Sequence, residues 1–590
     1  MKLYTPPLAD IQFLLQAFDY DAQIHAIEAF EDFDLETSMG LFEAYGEFCV
    51  EVLMPLNGPG DQHGVKFVPE TNAVVLPPGF NEAWEGFTEN GFTSISFDPE
   101  YGGLGAPHVI GILASEMLIA TNKSFSMCPG LTNGLVEALS AYGTDEQKDT
   151  YLEKLITGEW TGTMCLTEPQ CGTDLGLITT KAEPQEDGSF KLTGTKTWIT
   201  FGEHDMTDNI IHLVLARLPN APHGIRGISA FIVPKVLEDG SLNGVVCSGT
   251  DHKMGIHASP TCVINMENST GYMVGEPHRG MRSMFVMMNS ARLHVGIEGV
   301  ALAEAAYQAS LEFAKDRRQS RSLNPQKREK GEDADCILVH PDVRRMLLNQ
   351  KSTNEALRGL VTWIGINYDL SHHAADEALR QKADDLVALF TPIIKSYGTE
   401  RGFLNASDAM QVMGGAGYTS DWPVEQHMRD LRIAAIYEGT NHIQALDLVG
   451  RKLPMHNGRL FQTFMGEVSA LIRATAGDES LAPFIEGLKK ESKRLTNTTL
   501  SMSGVALKDP EVIGAIASNY LNQFALVTLA YVWLRQLKAA QELDEGDALR
   551  RSKFQTARFF FELVLPEAAM YAEKVAAGKG SMTDIDVSLL

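Results

Sequence analysis

Ile210-Ile211-His212-Leu213-Val214-Leu215 and Ile228-Ser229-Ala230-Phe231-Ile232-Val233 are short apolar runs rich in β-formers, and their reading decides the fold. Phe190-Lys191-Leu192-Thr193 precedes them, and turn signals such as Glu186-Asp187-Gly188 and Glu238-Asp239-Gly240 fall between. That spacing predicts an all-β domain, a small barrel or sandwich, from Thr161 to about Arg282. Outward from it in both directions the pattern turns helical. Towards the N-terminus, Ala114–Ala120 and Gly134–Tyr142 are apolar pieces, and Thr144-Asp145-Glu146-Gln147 has the form of a capping box. Gly102-Gly103-Leu104-Gly105-Ala106-Pro107 reads as a turn.

Towards the C-terminus, helical character returns near Met284. Val295–Lys315 is alanine-rich and closes on Arg317-Arg318-Gln319-Ser320-Arg321, cations that suit a helix C-terminus. Pro341 is placed to open the next helix. Leu386–Met413 reads as a helix stopped by Gly414-Gly415-Ala416-Gly417-Tyr418, and Val512–Leu537 and Phe554–Ala577 have helical length and periodicity. The expected architecture is α+β and multidomain: helical over 1–160, β over 161–283, helical over 284–455, and a further helical domain over 456–590.

The chain has 590 residues, 44% hydrophobic and 21% charged, which fits a globular protein with a large core. Length alone allows roughly three to five domains. A net charge of −27 opposes general nucleic-acid binding and docking on anionic membranes. One short basic run, Lys489, Lys490, Lys493 and Arg494, stands against that balance. The seven cysteines contain no Cys-x-x-Cys, so neither a disulfide framework nor a zinc site is expected. Met1-Lys2-Leu3-Tyr4-Thr5-Pro6-Pro7 shows no signal peptide. The greasy stretch Phe524–Leu534 falls short of the ~20 residues of a membrane helix, and a cytoplasmic location is expected. His252 and His257 lack a ligand set at metal spacing, so no metal is expected. No Gly-x-Gly-x-x-Gly follows a strand and opens a helix, so a Rossmann nucleotide site is not supported.

Three segments can carry chemistry. Met164-Cys165-Leu166-Thr167-Glu168-Pro169-Gln170-Cys171-Gly172-Thr173-Asp174 offers small residues and hydroxyls after a strand, where backbone N–H groups can approach a planar ring. Lys196-Thr197-Trp198-Ile199-Thr200-Phe201-Gly202 offers a stacking face beside a hydroxyl. The third runs from Gln411 through Gly414-Gly415 and Arg429-Asp430 to Ile436-Tyr437-Glu438-Gly439-Thr440-Asn441-His442 and sets a carboxylate before a glycine, on a flexible or tightly turned backbone. Taken singly, each has a bland reading as a turn, a core aromatic or a surface acid.

Their ordered combination resembles the acyl-CoA dehydrogenase family over almost the whole chain. Tyr101-Gly102-Gly103-Leu104-Gly105 is similar to that family's N-terminal signature, the first two segments to its flavin-facing region, and the third to its second signature. The resemblance implies a helical domain, a β-barrel and a helical bundle, with residues 456–590 as the extra domain of the large members. It implies FAD, contacted by Met164, Leu166, Thr167, Gly172 and Thr173, by Trp198, Ile199 and Thr200, and by Thr440 and Asn441. Arg317 and Gln319, with Gln411, Gly414 and Gly415, would complete a cross-subunit site for the flavin pyrophosphate, which implies a homodimer or a dimer of dimers. Glu438 would be the catalytic base, with Thr173, Arg292 and Gly439 at the substrate.

The implied reaction removes the α-proton of an acyl-CoA and passes the β-hydride to flavin N5, giving a trans-2-enoyl-CoA. Electrons would leave to an electron-transferring flavoprotein. The N-terminal heptapeptide, the segment 164–173 and His252-Lys253-Met254-Gly255-Ile256-His257 resemble the large bacterial members that oxidise 3-(methylthio)propanoyl-CoA in dimethylsulfoniopropionate breakdown. Met254, Met284, Met287 and Met288 could touch a sulfur chain, although core packing explains them as well. A short or medium straight-chain acyl-CoA, an oxidase passing electrons to oxygen, and a DNA-binding relative with the same fold are the alternatives.

Overall fold

A computed structural model describes residues 3–590, so Met1 and Lys2 of the N-terminal heptapeptide lie outside it. In chain order the main elements are α1 (Leu8–Ala17), α2 (Leu35–Phe48), α3 (Met54–His63), the hairpin β1 (Lys66–Val68) and β2 (Ala73–Val75), α4 (Phe80–Glu89), α5 (His108–Thr121), α6 (Lys123–Tyr142) and α7 (Asp145–Ile156). Next come β3 (Thr161–Cys165), β4 (Lys181–Pro184), β5 (Phe190–Thr200), β6 (Ile210–Arg217), β7 (Ile228–Pro234), β8 (Val245–Thr250) and β9 (Thr261–Val274). The rest is helical: α8 (Gly280–Asp316), α9 (Pro341–His373), α10 (Glu377–Met413), α11 (Val424–Arg432), α12 (Asn441–Asp447), α13 (Arg459–Ala474), α14 (Ala482–Ala506), α15 (Glu511–Ala540), α16 (Ala548–Phe559) and α17 (Glu567–Ala576). Contacts group the chain into two compact units. One comprises residues 1–43, 107–116 and 295–590, and the other 44–106 and 117–294.

The second of these units holds the sheet. β6 pairs with β7, β7 with β9, β9 with β5, β5 with β4, and β4 returns to β6, so the strands close on themselves as a small barrel. β3 extends the edge of β6 and β8 that of β9. Strand alternation gives β6 two apolar faces. Val214 and Ala216 join Leu192, Phe231, Val233 and Ile264 inside the barrel. Ile211, Leu213 and Leu215 face outward and pack with Leu135, Leu139, Leu152 and Leu155 of α6 and α7. This is why the 210–215 run is apolar on both faces rather than alternating, its one polar member, His212, being buried and paired with Thr163 Oγ1 at 2.7 Å. The Thr144 cap forms as read, with Gln147 N bonded to Thr144 Oγ1 and Thr144 N to Gln147 Oε1. Met284 and Met287 are fully buried in the outer cluster, so packing accounts for them, whereas Met254 is exposed.

The other unit is a helical bundle. Pro341 opens α9 and Gly414, at φ 60°, stops α10, as expected. α8 and α10 cross through bare backbone. A β-carbon on Gly299 would stand 2.1 Å from Gly398 O, and one on Gly402 would stand 2.3 Å from Gly299 O. The expected helix Phe554–Ala577 is instead two, α16 and α17, joined by a π-helical turn over Phe560–Val564 with Pro566 at the start of α17. α15 is long and apolar enough, by length and composition, to cross a membrane, unlike the shorter stretch read from sequence; 67% of its most apolar window is buried inside the protein. Trp533 on it donates to Ser352 O of α9 at 3.1 Å. On α14, Lys489 pairs with Glu486, and Lys490 and Arg494 pair with Glu491, so three of the four cations of the basic run have local acidic partners.

α1, α5, α8, α9 and α16 meet at a buried ionic cluster. Arg358 bonds Asp10, Glu116 and Glu304, and Lys553 bonds Asp10 and Glu355. Lys553 belongs to the C-terminal extension, yet it is 1% exposed. The extension therefore shares its polar core with the N-terminal helix.

Candidate active site

In the barrel unit the segment after β3 is held by one carboxylate. Glu168 Oε1 accepts from Lys196 Nζ at 2.9 Å, Thr180 N at 3.0 Å and Thr180 Oγ1 at 2.6 Å. Its Oε2 accepts from Thr179 N at 2.7 Å, Thr179 Oγ1 at 2.8 Å and Gln170 Nε2 at 2.6 Å. Burial pushes this carboxyl up. The Lys196 ammonium and the threonine donors more than reverse that and hold it at about 2. Lys196 is itself 0% exposed and also donates to Leu166 O at 3.0 Å. The pair fixes a loop on which Gly172 and Thr173 are exposed and Thr167 is half-buried.

Lys196 lies on β5 just before a bulge, where the pairing with β9 slips between Lys196 and Ile199. Trp198 in the bulge takes φ 58°, and its indole is 64% exposed. Thr197 N donates to Thr167 O at 2.9 Å and ties the bulge to the loop. Thr197 Oγ1 is buried without a hydrogen-bond partner among the described residues. Ile199 points into the barrel core and Leu166 into the outer cluster, so both have only backbone to offer a ligand. Met164 packs partly buried against the outer cluster, Thr200 sits opposite Thr261, and Arg292 is buried on α8.

In the bundle unit Glu438 lies between α11 and α12 at φ 54°, followed by Gly439 at φ 82°. Two consecutive left-handed residues, one of them not glycine, need support from outside. Gln444 Nε2 donates to Glu438 O at 3.1 Å and Gly439 O at 3.3 Å. Lys395 Nζ, from α10, donates to Gly439 O at 2.7 Å and Asn441 Oδ1 at 3.1 Å. Asn441 Nδ2 donates to Ser396 O at 3.1 Å, and Tyr437 OH donates to Glu298 Oε2 of α8 at 2.5 Å. Burial and the neighbouring Glu298 keep the Tyr437 hydroxyl protonated, its pKa well above that of a free tyrosine. Thr440 caps α12 through Ile443 N. Thr440 and Asn441, expected at the cofactor, thus use their side chains to build the Glu438 turn. Lys395 and Gln444 are both fully buried, and the sequence reading missed them. A lone lysine mid-helix and a glutamine six residues past the acid carry no pattern to find them by.

Arg317, Gln319, Gln411, Gly414 and Gly415 are all exposed in this unit. The loop after α8 is shaped by Asp335, whose carboxylate accepts from Ser322 N at 2.6 Å and Glu329 N at 2.8 Å and whose backbone O accepts from Gln319 N at 3.0 Å. His257 meets a carboxylate the spacing did not predict, Asp61 Oδ1 at 3.0 Å. Even so, no group of three metal-ligating side chains forms among the described residues.

The fit to FAD can be tested on these features. A β-carbon on Gly414 or Gly415 would find no neighbour within 4 Å, and one on Gly172 none nearer than 3.8 Å, so bare backbone stands open at all three. The exposed indole gives a stacking face, the threonines give hydroxyls, and Arg317 with Gln319 gives donors for a diphosphate. The donor set fits the group.

Family models match in order along the chain: acyl-CoA dehydrogenase N-terminal domain over 63–159, middle domain over 163–269, C-terminal domain over 333–453, and an acetyl-CoA dehydrogenase C-terminal-like domain over 464–586. A 3-methylmercaptopropionyl-CoA dehydrogenase of Ruegeria pomeroyi is 40% identical over 604 residues, covering 100% of this chain and 99% of its own. A butyryl-CoA dehydrogenase of Syntrophomonas wolfei is 32% identical over 95% of each chain. An acyl-CoA dehydrogenase of Bacillus anthracis solved with FAD shares the fold, at 24% identity and TM-score 0.75, over 93% of this chain and 89% of its own. On identity along its full length and on fold, the chain belongs to the acyl-CoA dehydrogenase family, FAD-dependent oxidoreductases of acyl-CoA thioesters.

Proposed function

We propose that this enzyme dehydrogenates 3-(methylthio)propanoyl-CoA to 3-(methylthio)acryloyl-CoA, with Glu438 as the base that takes the α-proton. The observation that carries the base assignment is the left-handed turn at Glu438, held through the carbonyls of Glu438 and Gly439 by buried donors where a surface acid would need none. The methylthio substrate is supported by the R. pomeroyi relative, identical at 40% of positions from end to end.

The α-proton of a thioester is a weak acid, so the carboxylate must be held in line with it and away from bulk water. Glu438 supplies that carboxylate, and Gly439 lets the chain turn beside it. Arg292, Thr173 and Gly439 are assigned to the thioester, and Trp198 to the face of the cofactor. FAD, when bound, supplies the hydride acceptor. Thr167, Thr173 and Thr200, with the open backbone at Gly172, would hold its ring system. Arg317, Gln319, Gln411, Gly414 and Gly415 would hold the diphosphate of a second subunit's cofactor, the reading that makes the enzyme a homodimer or a dimer of dimers. An electron-transferring flavoprotein is the acceptor that such chemistry calls for. The enzyme belongs in the cytoplasm, because the phosphates of a CoA ester keep it on the side of the membrane where it is made.

Anaerobic titration of the yellow protein with methylthiopropanoyl-, butanoyl- and octanoyl-CoA tests the substrate. Fastest bleaching of the flavin absorbance by the methylthio ester is expected, and a clear preference for butanoyl-CoA would overturn the assignment. Glu438→Gln should keep FAD and lose bleaching; bleaching at the wild-type rate would remove Glu438 from the role. Peroxide formation under air would favour the oxidase reading.

A further inference from the structure

We propose that Lys395 and Gln444 are positioning residues for proton abstraction, an inference that rests on Glu438 being the base. Neither touches substrate. They act through the two carbonyl groups that follow the acid. Lys395 Nζ holds Gly439 O at 2.7 Å, and Gln444 Nε2 holds Glu438 O at 3.1 Å. Each trans peptide is a rigid plane whose C=O and N–H point opposite ways. Pinning the two oxygens therefore fixes both planes and turns the N–H groups of Gly439 and Thr440 the other way. On the near side Tyr437 is tied through its hydroxyl to Glu298.

Between these anchors Glu438 is held at φ 54°, a region a glutamate leaves when nothing opposes it. Gly439, at φ 82°, offers no steric resistance of its own to such a relaxation. The buried ammonium and amide are what oppose it. Lys395 is 0% exposed on α10, and its second contact, Asn441 Oδ1 at 3.1 Å, is itself held by Thr399 Oγ1 at 3.2 Å. The lock thus extends from the bundle's core to the carboxylate's own peptide. Removing a donor lets the turn relax and moves the carboxylate. A displacement on the order of 1 Å is enough to slow a positioned proton transfer about 100-fold.

The test separates chemistry from binding. Exchange of the α-proton of a bound acyl-CoA with D2O, read by mass spectrometry, needs the base but no net oxidation. Lys395→Met holoenzyme should bind the CoA ester within about threefold of wild type, yet exchange about 100-fold more slowly, with flavin reduction slowed in parallel. Lys395→Arg, which keeps a cationic donor, should recover part of the rate. Wild-type exchange in folded Lys395→Met would overturn the proposal, as would a rate loss matched by an equal loss of affinity. If Lys395→Met yields no folded holoenzyme, Gln444→Met decides: a loss of tenfold or more at unchanged affinity supports the lock, and a wild-type rate overturns it. Glu438→Gln run beside them tells the two readings apart. An inert Glu438→Gln with a fully active Lys395→Met sinks only the lock, whereas exchange in Glu438→Gln sinks both.

Discussion

Glu168→Gln removes the charge that six donors surround. The folded-state pKa falls from 4.5 to about 2, which converts to about 3 kcal/mol at roughly 1.4 kcal/mol per pH unit. The sign follows from the direction. A carboxyl depressed in the folded protein contributes its full stability above pH 4.5 and loses it as the pH falls towards 2. The substitution also leaves the Lys196 ammonium buried without its counter-charge, and breaking such a pair costs about 3–5 kcal/mol. Thermal unfolding of the holoenzyme against pH is the assay. The variant should unfold several degrees below wild type at pH 7, and the gap should narrow steadily as both are taken from pH 5 towards pH 3. FAD affinity should fall with it, because the loop bearing Thr167, Gly172 and Thr173 hangs on this carboxylate. A gap of constant size across that range, or none at pH 7, would refute the reasoning.

Glu137 should behave in the opposite sense. Burial pushes its carboxyl up to about 7, opposed by Ser290 Oγ at 2.7 Å, so ionising it works against the fold. Glu137→Gln should therefore stabilise the protein at pH 8 and change little below pH 4.5, a difference that melting curves at the two pH values will report. Lys553→Met should leave Asp10 to Arg358 alone and Glu355 to Lys351 alone, and destabilise the fold by up to about 3 kcal/mol, read as a lower urea midpoint; an unchanged midpoint would mean the extension is merely appended. Trp198→Ala should weaken FAD binding by about 1 kcal/mol without shifting the melting point of the apoprotein, since the indole is exposed; flavin fluorescence titration measures it.

Local chemistry that acts through neighbours in sequence was legible. The Thr144 cap, the Gly414 stop, the proline opening α9 and the β-run at 210–215 all formed where the pattern put them. What the sequence could not show depends on contacts far along the chain. Asp61 reaches His257 across 196 residues, and Lys395 reaches Gly439 across 44. Both are invisible to a reading that works by spacing. Phe554–Ala577 failed for a different reason: its apolar periodicity continues across the π-helical turn and masked the break that Pro566, already visible in the sequence, marks. At the site, residue identity said which positions matter but not whether a side chain or only its backbone faces outward. Ile199 and Asn441 differ on that point from Trp198 and Thr173.

The crossing of α8 and α10 bears on how this sequence can drift. A side chain colliding with another side chain can be rescued by trimming the neighbour, but a methyl at Gly299 would meet the main chain of Gly398, which no substitution can trim. Gly402 faces the same obstacle at Gly299 O. Any side chain at either position would have to push the two main chains apart. Variation that retunes the acyl group must therefore accumulate elsewhere. Glu298, Ile394 and Lys395, which flank this junction, inherit its immobility, so the proton-taking turn is suspended from the part of the molecule least able to change.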